Sequence, residues 1–106
     1  MIILDTPDTL YDNAIYWFIE QYMAFSSITL RVEERDLSEE GFYGTCTEVD
    51  EEYLIEIHNN LTEEETLETL FHELWHIHQD YKDSPRDEDA CTMMEGVLLD
   101  RYRYGG

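Results

Sequence analysis

The sequence predicts a single α+β domain, and three observations carry that reading. The first is length. At 106 residues the chain buries roughly two-thirds of its unfolded surface on folding, enough for one core but not two. The second is composition. A hydrophobic fraction of 42% and an aromatic fraction of 13% are too high for a disordered acidic segment. The third is the order of the hydrophobic patterns. One helical stretch comes first, two or three alternating stretches follow, and two further helical stretches close the chain. Strands and helices are therefore expected to be segregated along the sequence.

Thr6-Pro7 predicts an N-cap with proline at the first helical position. Leu10, Ala14, Trp17, Phe18 and Phe25 recur behind it at helical spacing, so residues 7–25 read as an amphipathic helix. Residues 28–34 (ITLRVEE) alternate and predict a strand. Residues 42–48 (FYGTCTE) predict a second, with Gly41 and Gly44 marking a bend, and Asp50-Glu51-Glu52 a turn. Residues 53–58 (YLIEIH) alternate again and predict a third strand. Thr62 and Glu65 have the spacing of a capping box. The helix they open carries Leu67, Leu70, Phe71, Leu74, Ile77 and Tyr81 on one face. Lys82-Asp83 reads as a turn. Ser84-Pro85 opens a last helix with Ala90, Met93, Met94, Val97 and Leu98 on its apolar face, reaching about Tyr102. Gly105-Gly106 reads as a tail.

Charge excludes some functions. Twenty-six acidic residues against six Lys and Arg give a formal charge of −20. Nucleic-acid backbones and anionic membrane surfaces both demand positive patches, so neither is expected as a direct partner. Cations, metals and basic partners are. The start MIILDTPD lacks the basic region of a signal peptide, and no stretch approaches a membrane span. With Cys46 and Cys91 as its only cysteines, the chain is expected to be cytoplasmic, with both thiols reduced.

His72-Glu73-Leu74-Trp75-His76 is HExxH. On a helix, residues i and i+4 share a face, so both imidazoles can hold one Zn²⁺. Glu73 stands beside the first of them as a candidate general base. A third protein ligand is expected, and several acids compete. Asp87, Glu88 and Asp89 lie in the first turn of the last helix, where acids also offset the helix dipole. Glu95 lies further along. An antiparallel hairpin places roughly residue 92 opposite the midpoint of the two histidines, which favours Glu95 and leaves Glu88 about 6 Å short. Gly96, next to Glu95, would permit close helix approach. Cys91 is a further thiolate candidate, although a small free Cys usually packs in a core. His78 falls on a different helix face and reads as a packing residue, His58 as a histidine at a strand edge. Arg101 and Arg103 offset the negative end of the last helix.

HELWHIHQ, with an alternating strand before it and DEDAC after it, resembles the small HExxH metallopeptidases, namely the SprT-like proteins of phages and bacteria and the compact minigluzincins. The resemblance spans about residues 42–100. It implies a zincin-like minimal domain with an N-terminal helix, a small twisted sheet, an active-site helix and a glutamate helix. It also implies zinc-dependent hydrolysis of a peptide or protein substrate, with Glu73 as base. In related families the third ligand is the Glu of an E-x-x-A-(D/N) stretch. Laid on this chain, that pattern puts the shorter Asp87 at the Glu, Ala90 at the Ala and Cys91 at the Asp/Asn. A shift of one residue gives Glu88. The spacing HExxH-x18-E followed by Gly resembles gluzincin aminopeptidases and gives Glu95. The resemblance further implies an edge strand for substrate pairing, expected at 53–58, and a tyrosine near the oxyanion. Tyr43, Tyr81 and Tyr102 are the candidates, with core packing the more ordinary role of each.

Residues 33–68 hold fourteen acids against the single base Arg35. A solvated face accounts for them most simply; adaptation to high salt or preference for a basic substrate would as well. Two other function classes compete with the peptidase. One is an acidic inhibitor that mimics DNA phosphates. The other is a zinc-binding protein without turnover.

Overall fold

The computed structural model describes residues 1–24 and 27–105. Phe25, counted above in the first helix's stripe, and Gly106 of the expected tail lie outside them. The first element is a strand, not a helix. Residues Ile2–Asp5 form β1, half-buried in alternation. The strand is too short to show a pattern in sequence, and its partner lies 26 residues away in a parallel register, Ile2 opposite Ile28. Helix α1 (Thr9–Tyr22) follows, with Asp8 as its N-cap accepting from the Leu10 N–H at 2.8 Å. Thr6, expected in that role, instead donates to Asp12 at 2.6 Å.

Strand β2 (Ile28–Arg35) lies between β1 and β4 (Glu52–His58), parallel to both, and β3 (Gly44–Val49) runs antiparallel to β4. The sheet order is β1-β2-β4-β3. Four strands thus replace the two or three expected, and β1-α1-β2 is a parallel crossover rather than part of a segregated order. The class remains α+β. Strand β4, expected as a free edge, is bonded on both sides; the edges are β1 and β3. The hairpin between β3 and β4 turns at Asp50 and Glu51, both at positive φ, as a tight two-residue connection of the right twist requires.

Helix α2 (Glu63–Tyr81) opens with the expected capping box: Glu65 N–H donates to Thr62 Oγ1 at 3.1 Å and Thr62 N–H to Glu65 Oε1 at 3.0 Å. Helix α3 (Glu88–Tyr104) is capped by Asp87, not Ser84, and ended by Gly105 in the left-handed region. Gly105 N–H bonds the Arg101 carbonyl, so this residue closes a helix rather than trailing as a tail.

One face of the sheet, carrying Ile28, Leu30, Val32, Ile55 and Ile57, shares a core with all three helices. Phe18 of α1, Phe71 and Leu74 of α2 and Leu98 of α3 meet there. Tyr81 and Met93, expected on apolar faces, are about half and two-thirds exposed. The other sheet face is mixed: Ile3 and Val49 stand exposed on it, beside Arg31 paired to Asp5 and Glu33 and Arg35 paired to Glu56. Helices α2 and α3 form an antiparallel hairpin in which Gln79 meets Asp87, His76 meets Cys91 and His72 meets Glu95.

Thr62→Ala removes half of the box that starts α2. It should cost about 1 kcal/mol, read as a lower urea midpoint at unchanged slope.

Candidate metal centre

His72 and His76 stand one turn apart on the α2 face that meets α3. Their Nε2 atoms converge on one carboxylate. Glu88 Oε2 lies 2.9 Å from His72 Nε2, and Glu88 Oε1 lies 2.7 Å from His76 Nε2. The opposite ring nitrogens are held elsewhere. His72 Nδ1 faces Glu95 Oε2 at 2.9 Å, and His76 Nδ1 faces Gln79 Oε1 at 3.3 Å. With a proton on each Nδ1, facing these acceptors, both Nε2 lone pairs aim at the Glu88 oxygens. Protons on Nε2 satisfy this arrangement as direct hydrogen bonds.

The donor set suits a borderline cation such as zinc: two imidazoles and a carboxylate, with acceptors on the far ring nitrogens. A second grouping is also present. His72, His76 and Cys91 bring one ligand atom each to within 4.8 Å of one another. Cys91 is less suited as a ligand. Its sulfur lies 3.4 Å from His76 Nδ1, the nitrogen turned away from Glu88. It is fully buried, and burial pushes its thiol up to about 12.

Each expected third ligand therefore has its own place. Glu88 reaches both Nε2 atoms. The hairpin estimate left it short because level counting ignores the combined reach of a glutamate and an imidazole. Glu95 touches only the far nitrogen of His72. Asp87 is committed as the N-cap, accepting from Ala90 N–H at 3.2 Å, and Asp89 is exposed. Gly96 makes no close helix contact; a Cβ there would meet nothing within 4 Å.

Glu73 is 6% exposed and lines a cleft of about 880 Å³ together with His72, His76 and Glu88. Among the described residues no donor reaches its carboxylate. Burial pushes its pKa up to about 7, partly opposed by the nearby His72. For Glu88, burial acts upward, but its bonds to His72 and the charges of both histidines win, and the carboxyl stays below its ordinary value.

The other wall of the cleft is β3. His58 N–H donates to the Tyr43 carbonyl at 2.7 Å. Antiparallel alternation then turns the backbone groups of Gly44, Cys46 and Glu48 away from β4, toward the free edge. The edge reaches α2 because Gly44 has no side chain: a Cβ there would lie 2.6 Å from Thr69 Cγ2 and 3.3 Å from Glu73 Oε2. Gly44 is thus a close-approach residue rather than a bend. Arg86 spans the cleft's end, with Nη1 on the Cys46 carbonyl at 2.9 Å and Nη2 on Asp80 at 2.9 Å.

Of the three tyrosines, only Tyr43 lines the cleft; Tyr102 packs on Trp17 and Phe71, and Tyr81 stacks under Lys82. His58 accepts from the Leu37 N–H and stacks on Tyr43, while His78 packs among Phe18, Tyr22 and Trp75. Sequence reasoning counted Gln79 among the specific residues of the resemblance without giving it a contact, and assigned no role to Arg86. For Gln79 a signal exists, a polar residue one turn after His76 on the same face. Arg86 acts across forty residues, and no local pattern announces that.

No family model, no curated protein and no solved structure matches this chain. No helix among the described residues is long and apolar enough to cross a membrane.

Gly44→Ala should destabilise the protein by about 1–3 kcal/mol through overpacking. Adding Thr69→Ser removes the methyl in the way and keeps the hydroxyl bond to Glu65. The double variant should therefore recover most of the loss in thermal unfolding.

Proposed function

We propose that this chain is a zinc-dependent peptidase of zincin-like plan, with His72, His76 and Glu88 as the metal ligands and Glu73 as general base. One observation carries the reading: both Nε2 atoms converge on the Glu88 carboxylate while both Nδ1 atoms are held by acceptors. When bound, zinc supplies Lewis acidity toward a carbonyl and makes a water acidic enough to attack near neutral pH.

The chain's own residues supply the rest. Glu73 takes a proton from the attacking water at its cleft-facing oxygen and returns it to the departing amine. Its burial suits that exchange, since a base works best with a pKa near the working pH. Glu95 and Gln79 orient the two imidazoles. The outward backbone groups of Gly44, Cys46 and Glu48 offer an extended peptide a strand to pair with, replacing the edge expected at 53–58. Arg86 already occupies the Cys46 carbonyl, so pairing is confined to the groups it leaves free. A cytoplasmic setting accords with two free thiols. The DNA-mimic reading uses the charge but gives the paired histidines no role.

Metal analysis and a peptide-cleavage assay test this together. The wild type should bind about one zinc per chain. His72→Ala, His76→Ala and Glu88→Ala should lose it. Glu73→Ala should keep the metal and lose cleavage. Glu95→Ala should weaken zinc affinity by about 10–100-fold, as loss of an orienting partner does. A wild type that takes up no zinc sinks the proposal.

A further inference from the structure

The cleft is polarised along its length. Gly44 lies against Thr69 and Glu73, and the Cys46 carbonyl meets Arg86 beyond the end of α2. Strand β3 therefore runs in the same sense as α2. Phe42 and Tyr43, which precede Gly44, stand at the end where Glu65 and Glu68 line the cleft. Both rings are about half exposed. Glu95 closes the same end from α3. Arg86, the arginine that lines the cleft among the described residues, is at the other end and is already paired with Asp80.

These acids are not equivalent. Glu65 has one oxygen committed to the capping box, and Glu95 holds His72. Glu68 enters no hydrogen bond or ion pair among the described residues, and burial with the charges of Glu95, Glu64 and Glu65 raises its carboxyl above the ordinary value, partly opposed by Arg103. Glu73, nine-tenths buried and without a donor, faces the same cleft. Aromatic faces beside free carboxylates attract an organic cation on two counts, charge and ring quadrupole.

We propose that the Phe42, Tyr43, Glu68 and Glu95 end of the cleft is a subsite for a lysine or arginine side chain of the bound peptide, with Glu68 as its specificity-determining residue. The position follows from helix geometry. Glu68 lies four residues before His72, about 6 Å along α2, which is about two residues of extended chain. The cation therefore sits roughly two residues to one side of the bond to be cut. This inference rests on the peptidase reading for the word substrate, but not for the binding itself.

The test uses short, end-blocked alanine-based peptides with a single lysine scanned along them, and matched peptides with norleucine, which keeps the stem without the charge. Binding is measured on the full zinc-treated chain and on Glu73→Ala, and cleavage is followed separately on the wild type. Lysine at one position should bind about fivefold tighter than norleucine, the upper range for a solvent-touched ion pair. Glu68→Gln should abolish that difference. Glu20→Gln, a charge removed from the exposed side of α1, should leave it intact. Equal binding of the two peptides, or a preference that survives Glu68→Gln, overturns the subsite. Cleavage without lysine preference rejects the subsite and keeps the peptidase. Lysine-selective binding without cleavage at any position keeps the subsite and rejects the peptidase.

Discussion

The geometry of the centre depends on one reciprocal contact, the pairing of the Gln79 side chain with the Asp87 backbone. Gln79 Oε1 accepts from Asp87 N–H at 3.1 Å, and Gln79 Nε2 donates to the Asp87 carbonyl at 3.2 Å. These bonds satisfy an amide at the start of α3 and fix the phase of that helix against α2. With that phase set, Asp87 caps the helix and Glu88 turns toward the histidines. Cys91 meets His76 and Glu95 meets His72. A helix rotated by one residue would offer a different acid to the pair. The same Gln79 oxygen also faces His76 Nδ1, so one side chain holds both the hairpin and the orientation of a candidate ligand.

A second constraint brings the sheet to the centre. Because Gly44 lets β3 pass within contact of Thr69 and Glu73, the free sheet edge and the buried carboxylate face one cleft. The long acidic run between Glu33 and Glu68 divides between two environments. Glu56 and Glu33 pair with arginines on the sheet face turned away from the core, whereas Glu65 and Glu68 line the cleft. The large net charge is thus partly neutralised by arginines on one side of the sheet, while several acids gather at the cleft.

Legibility in the sequence followed the range of the interactions. The capping box of α2 needs only residues 62–65, and it formed as expected. The alternation in β2 and β4 and the stripe from Leu67 to Ile77 are equally local, and both define the core. Strand β1 was missed because its four residues acquire meaning only from a parallel partner in β2. Both Thr/Ser-Pro starts were displaced to a following aspartate. Asp8 and Asp87 supply the capping carboxylate, and the prolines precede the helices instead of opening them. The edge strand was misassigned because sheet order is a property of the whole topology. HExxH was legible as a motif. The choice among Asp87, Glu88 and Glu95 was not, because it turns on the rotation of α3 set by Gln79, three residues beyond the motif.

The proposed metal ligands are two imidazole Nε2 atoms and the Glu88 carboxylate, not the Cys91 thiolate. X-ray absorption at the zinc edge of the loaded protein tests it most directly. The expected scatterers are nitrogen and oxygen alone at about 2.0–2.2 Å, with an imidazole scattering pattern. A sulfur scatterer at about 2.3 Å would contradict it and transfer the third position to Cys91.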